Sequence, residues 1–68
     1  MNRRFKLWLD SENLNANSLA KLVDLNRSSI SHIVNGRNKP SIDMLEKILS
    51  IYPKLNLNWL ISGFGSMN

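Results

Sequence analysis

Apolar residues recur three and four positions apart along this chain, and no window alternates apolar with polar over the length of a strand. Phe5, Trp8 and Leu9 mark a first helix over about residues 2–12, and Leu19, Ala20 and Val23 a second. Ile30, Ile33 and Val34 mark a third. Ile42, Leu45, Ile48, Leu49 and Tyr52 form the inward stripe of a fourth, which must stop before Pro53. A short last helix fits between Asn56 and Gly63. The pattern predicts an all-α fold of five short helices with short connections and no sheet.

Helix starts carry their own signals. Leu-Asn occurs at Leu14-Asn15, Leu25-Asn26 and Leu55-Asn56, each time with an apolar residue (Leu19, Ile30 or Leu60) five positions after the leucine. That spacing fits an Asn N-cap whose preceding leucine packs against the first full turn of the helix. Ser41 is a fourth cap candidate, and Asp43 after it favours the positive end of the helix dipole. Asn13 falls where a left-handed residue closes the first helix. Between the second and third helices only Asp24 and Leu25 precede the cap Asn26, which forces a sharp corner, and small Ala20 lets the helices approach. Asp24 can adopt the left-handed conformation there at some cost. Two short helices joined this way form a helix-turn-helix over about residues 16–35, or an ordinary corner of a small bundle.

Composition narrows the class. Sixty-eight residues with 43% apolar content make one domain, residues 1–68, near the lower size limit for an unstapled core, and the absence of cysteine excludes disulfides and thiolate metal sites. No apolar run has the length of a membrane span, and MNRRFKLWLD lacks a signal peptide's apolar region, so a cytoplasmic protein is expected. The net charge of +4 resides wholly in residues 1–40, where Arg3, Arg4, Lys6, Lys21, Arg27, Arg37 and Lys39 face only Asp10, Glu12 and Asp24. No acid occurs between Asp24 and Asp43. A cationic half suits a polyanion, although the same charge also keeps a small protein soluble. Arg3, Arg4 and Lys6 fit flanking phosphate contacts and a solvated chain end equally well.

The stretch SSISHIVNG concentrates the candidate chemistry. Opposite its apolar face it sets Ser28, Ser31, His32 and Asn35, joined by the preceding Arg27, all hydrogen-bonding groups and none a carboxylate. Such side chains suit base edges in a major groove, and a phosphate partner would explain a helix start without an acid. His32, the sole histidine, has no second ligand or partner carboxylate and fits a DNA contact or a plain surface position. Ser28, Ser29 and Ser31 have no accompanying base, and Asp43 with Glu46 has no third ligand. No enzyme activity, metal or cofactor is expected.

The segment LNANSLAKLVDLNRSSISHIVNGRNKPSIDMLEKIL resembles the repressor/Cro helix-turn-helix of lambdoid phages, the XRE family, and LNLNWLISGFG resembles the closing segment of many members. The likeness runs over roughly residues 3–65 and rests on the ordered set Leu19-Ala20, Ile30, Ile33, Asn35-Gly36 and Trp59-Leu60. It implies a lambda-repressor-like fold of five helices, the third in the major groove, and dimers on pseudo-palindromic operators. By the same resemblance Arg27, Ser28, Ser31 and His32 take the base-facing positions. Asn15 and Asn35 take positions of phosphate-bonding asparagines, and Arg37, Asn38 and Lys39 fall in the loop that follows the DNA backbone. Members often carry Gln where this chain has Ala16, so that contact is lost or passes to Asn17, and Asp24 stands where the turn usually has Gly. Members also often continue into a further domain.

The expected function is sequence-specific binding of double-stranded DNA by a prokaryotic or phage transcriptional regulator, a repressor that occupies an operator and excludes polymerase. A weak homodimer is expected, with Leu57, Ile61 and Phe64 as contact candidates. The alternative is a protein-interaction module of the same fold, antitoxin-like, which should place aromatic or large apolar residues on the face from Asn26 to Lys39.

Overall fold

Helices of six to ten residues are too short to persist alone, so packing and end chemistry must hold each one. In the computed structural model, which describes residues 1–68, the chain forms α1 (Asn2–Ser11), α2 (Ala16–Val23), α3 (Arg27–Val34), α4 (Ile42–Ile51) and α5 (Leu57–Ser62), with no strand. The five-helix, all-α architecture expected from the periodicity is the one observed.

The first two corners share one construction. Asn13 and Asp24 adopt left-handed backbone, with φ of 56° and 55°. The amide of the leucine that follows each reaches back to the preceding helix, Leu14 N–H to Leu9 O at 2.8 Å and Leu25 N–H to Ala20 O at 2.9 Å. This return bond satisfies carbonyls that a helix end leaves orphaned. Each leucine then stands immediately before the next N-terminal cap, so one residue closes a helix and anchors the start of its successor. At the end of α3, Gly36 supplies the left-handed residue at φ +80°, and Arg37 N–H bonds His32 O at 2.8 Å. A side chain at Gly36 would also press within 3.2 Å of Asn2 Nδ2, so glycine fits on two counts.

Three of the four expected caps form. Asn15 Oδ1 accepts from Ser18 N–H at 2.9 Å while Ser18 Oγ accepts from Asn15 N–H at 2.8 Å, a reciprocal box. Ser41 Oγ accepts from Met44 N–H, and Asn56 Oδ1 from Asn58 N–H and Trp59 N–H. Asn26 is the correction: its backbone sits at the cap position of α3, but its side chain caps nothing and accepts from the Ser28 hydroxyl at 3.3 Å. The nearby serine competes for the same oxygen.

Thirteen apolar side chains are buried in one cluster, and no polar or charged residue joins them. Phe5, Trp8, Leu19, Ile30, Ile48 and Leu60 are wholly enclosed, drawing all five helices onto a common centre. Burial of each such side chain contributes about 1.5–3 kcal/mol. Trp8 packs tilted against Phe5 and at 84° to Tyr52, ring centroids 5.3 Å apart. In α4 the stripe differs from the expected one at its first residue. Ile42 is 71% exposed, and Met44 takes an inward place. Helical side chains lean toward the N-terminus, so Ile42, in the first position, overhangs the edge of the core.

Arg4 ties the chain ends together. Its guanidinium donates to Leu60 O and Ile61 O, both at 3.0 Å, satisfying carbonyls at the C-terminal end of α5. Beyond α5 the chain turns back, and Asn56 receives it through N–H to Met67 O and Nδ2 to Ser66 O. Met67 then packs against the core.

Asp24 holds its left-handed conformation without any side-chain hydrogen bond. Asp24→Gly should therefore stabilise the protein by about 0.5–1 kcal/mol, the release of backbone strain less the extra entropy of an unfolded glycine. Urea unfolding monitored by circular dichroism measures this. Destabilisation would show that the Asp24 side chain supports the corner.

Candidate nucleic-acid interface

The corner at Asp24 and Leu25 fixes how α3 lies across α2. Ile30 and Ile33 of α3 are buried in the core. With those two turned inward, Arg27 and Ser28 stand exposed at the beginning of the helix, Ser31 and His32 are half-buried along it, and Asn35 is exposed at its end. The following loop presents Arg37, Asn38 and Lys39, all exposed. Asn38 and Lys39 fold back beside α3, lining a shallow recess with Leu25, Ser29 and Ile33.

A second recess of about 180 Å³ opens where three helices meet. Asn15 and Ala16 at the start of α2, Ser31 of α3 and Asn35 at its end, and Lys6 and Asp10 of α1 line it over an apolar floor that includes Leu9 and Leu14. The sequence-selected Asn15, Ser31 and Asn35 are thus brought together, although twenty residues separate Asn15 from Asn35. Asn17 is exposed on the first turn of α2, outside this recess. Leu57, Ile61 and Phe64 lie on α5 and the turn beyond it, with Leu57 half-buried, Ile61 50% exposed and Phe64 74% exposed.

Hydrogen bonding separates two kinds of polar residue. Asn15, Ser18, Ser41 and Asn56 spend side-chain groups on helix ends, and Arg4 on α5. The side chains of Arg27, Ser31, His32, Asn35, Arg37, Asn38 and Lys39 make no hydrogen bond within the chain. None of the three cations in that group has an acidic partner, because the one salt bridge of the molecule joins Lys6 to Asp10. No acid occurs between Asp24 and Asp43 to neutralise them. The first turn of α3 has neither an acidic residue nor a side-chain cap. This strip is a row of donors, with some acceptors, left open to an external partner.

The family comparison concurs with that geometry. Residues 5–60 match the family model described as Helix-turn-helix. The chain belongs to the XRE-type helix-turn-helix family. Its members are DNA-binding domains of the transcription-regulator type, and the domain carries the family's fold over most of its length. No curated protein and no solved structure matches the chain significantly. No helix is long and apolar enough to cross a membrane.

Two features of the helix-turn-helix domain were not legible beforehand. Arg4, which fitted a phosphate contact or a solvated end, is occupied by the α5 carbonyls. Lys6, which fitted a phosphate contact or a solvated end, joins the rim of the interhelical recess with Asp10, whose only sequence signal was its spacing of four from Lys6 along one helix.

Proposed function

We propose that this domain binds double-stranded DNA sequence-specifically as a prokaryotic or phage transcriptional repressor, laying α3 in the major groove and excluding polymerase from the operator. The observation that carries this reading is the acid-free strip from Asn26 to Lys39, whose polar side chains, apart from Asn26 and Ser28, which bond one another, make no hydrogen bond within the chain. Arg27, Ser28, Ser31 and His32 read base edges, the fork of Arg27 being suited to the two acceptors of guanine. Asn15, Asn17 and Asn35 bond phosphates on either side of the groove, and Arg37, Asn38 and Lys39 follow the backbone beyond it. Asn15 keeps its Nδ2 free for this while its Oδ1 caps α2. The amides of Ala16 and Asn17, which the capping box at the start of α2 leaves unbonded, suit the same anion. An antitoxin-like interaction module would set large apolar groups on the strip, and none of the exposed large hydrophobics falls within it.

Phosphate contacts position the protein and base contacts specify the sequence. Lys39→Ala should weaken binding to all duplexes alike and flatten the dependence of log K on log salt by about one unit. Arg27→Ala should cost about 1–3 kcal/mol on the selected operator and relax the preference at one position. Fluorescence titrations on selected and random duplexes measure both. Equal losses on the two duplexes for Arg27→Ala would remove it from the base-reading set.

One eight-residue helix reads few base pairs, so regulation against a genome of competing sites calls for two copies. The proposed dimer pairs Ile61 and Phe64, with Leu57 beneath them, across a two-fold axis and spaces the half-sites by about 34 Å. The apolar surface offered is small, so the dimer is weak in solution and strengthened on DNA. Phe64→Ala should reduce cooperative binding to a full operator and leave half-site affinity unchanged. Saturation of a palindromic operator by one monomer, seen by ultracentrifugation, would contradict the dimer.

A further inference from the structure

Asp10 is the single carboxylate among the residues that line the α1–α2–α3 recess, which otherwise offers Lys6, Asn15, Ser31 and Asn35. Its position is unfavourable for α1 itself. Asp10 lies in the last turn, against the negative end of the helix dipole, and the order Lys6 then Asp10 is the weaker orientation of an i,i+4 pair. Lys6 Nζ nevertheless sits 3.1 Å from Asp10 Oδ1 and 3.5 Å from Oδ2. Both side chains are more than half exposed, so water screens the pair and it contributes little to folding. A neighbouring surface recess, lined by Asn2, Arg3, Lys6, Leu7, Val34 and Asn35, adjoins the first through Lys6, Val34 and Asn35. Lys6 therefore stands at the junction of two recesses that both include Asn35 of the recognition helix.

We propose that Lys6 is a DNA backbone-phosphate ligand held in reserve by Asp10. In the free protein the Asp10 carboxylate occupies the ammonium. On the duplex, a phosphate seated beside Asn15 and Asn35 takes the carboxylate's place. This rests on the DNA-binding function proposed above and adds α1 to the contact surface. The exchange is favoured only where the duplex is docked closely enough to bring a phosphate to the recess. Loosely associated DNA brings no phosphate to the recess, so Lys6 stays paired with Asp10 and adds nothing to indiscriminate binding.

The test is a salt titration of wild type, Lys6→Ala, Asp10→Asn and the double variant on a selected operator duplex. Folding of each is checked by its circular dichroism melting curve. Lys6→Ala should make the slope of log K against log salt shallower by about 0.9, so that between about 50 and about 200 mM salt the wild-type advantage shrinks about 3.5-fold. Asp10→Asn should raise affinity at low salt about two- to fivefold, the release of a screened surface pair, and the gain should vanish when Lys6 is alanine. An unchanged slope for Lys6→Ala would overturn the proposal while leaving the DNA-binding function intact. So would a gain from Asp10→Asn that persists without Lys6, which would make Asp10 a general repulsive charge. Failure of the wild-type protein to bind any duplex would overturn both.

Discussion

The backbone carbonyl of Ala20 accepts from Asp24 N–H and from Leu25 N–H, and the angle between α2 and α3 hangs on that junction. Ala20 is itself buried and small, which lets the two helices approach closely, while Leu25 packs on the core from the other side of the corner. With two residues to turn in before Asn26, a left-handed residue is the means by which the chain leaves α2 and enters α3 while keeping Val23 and Ile30 in the same core. Were the corner to slip by one residue, α3 would rotate by about a quarter turn, since successive helical residues are about 100° apart. Ile30 and Ile33 would leave the core, and the polar strip would no longer face outward.

That constraint links stability to function in a domain with little of either to spare. The core has no polar residue, so every cap, turn and charged group must find its partner at the surface or leave it for another molecule. Helix ends take up Asn15, Ser18, Ser41, Asn56 and Arg4. Unengaged side chains occur on every helix, but only on α3 and the loop behind it do they form a run with no acid among them. Apart from Ser28, which bonds Asn26, the polar side chains of α3 are not used by the fold.

Local signals were legible in the sequence wherever the physics is local. Leu14-Asn15, Ser41 and Leu55-Asn56 announce helix starts through contacts three to five residues away, and Asn13 and Gly63 fall where a left-handed residue must close a helix. Asn26 carries the same sequence signal as Asn15, but Ser28 two residues later diverts its oxygen. Ile42 has the right period for the core and the wrong place on its helix, since the edge of a core is a property of the assembled fold. Arg4 bonds a carbonyl 56 positions away, and although it shares the Trp8 side of α1 and Arg3 does not, nothing in MNRRFKLWLD names that partner. Of the candidate site, the outward polar face of α3 follows from the helical period, and its proposed base-reading role from the family resemblance. The convergence of Lys6 and Asp10 with Asn15 and Asn35 depends on how α1 crosses the pair behind it, which no spacing encodes.

Amide chemical-shift mapping of the isotopically labelled protein, titrated with a duplex selected from random DNA, tests the central claim most directly. The largest changes are expected at Asn15 to Ser18, along Asn26 to Lys39 and at Lys6, with the inner residues of α4 unmoved. Changes confined to α5 and the turn at Phe64, with the α3 strip silent, would contradict that claim.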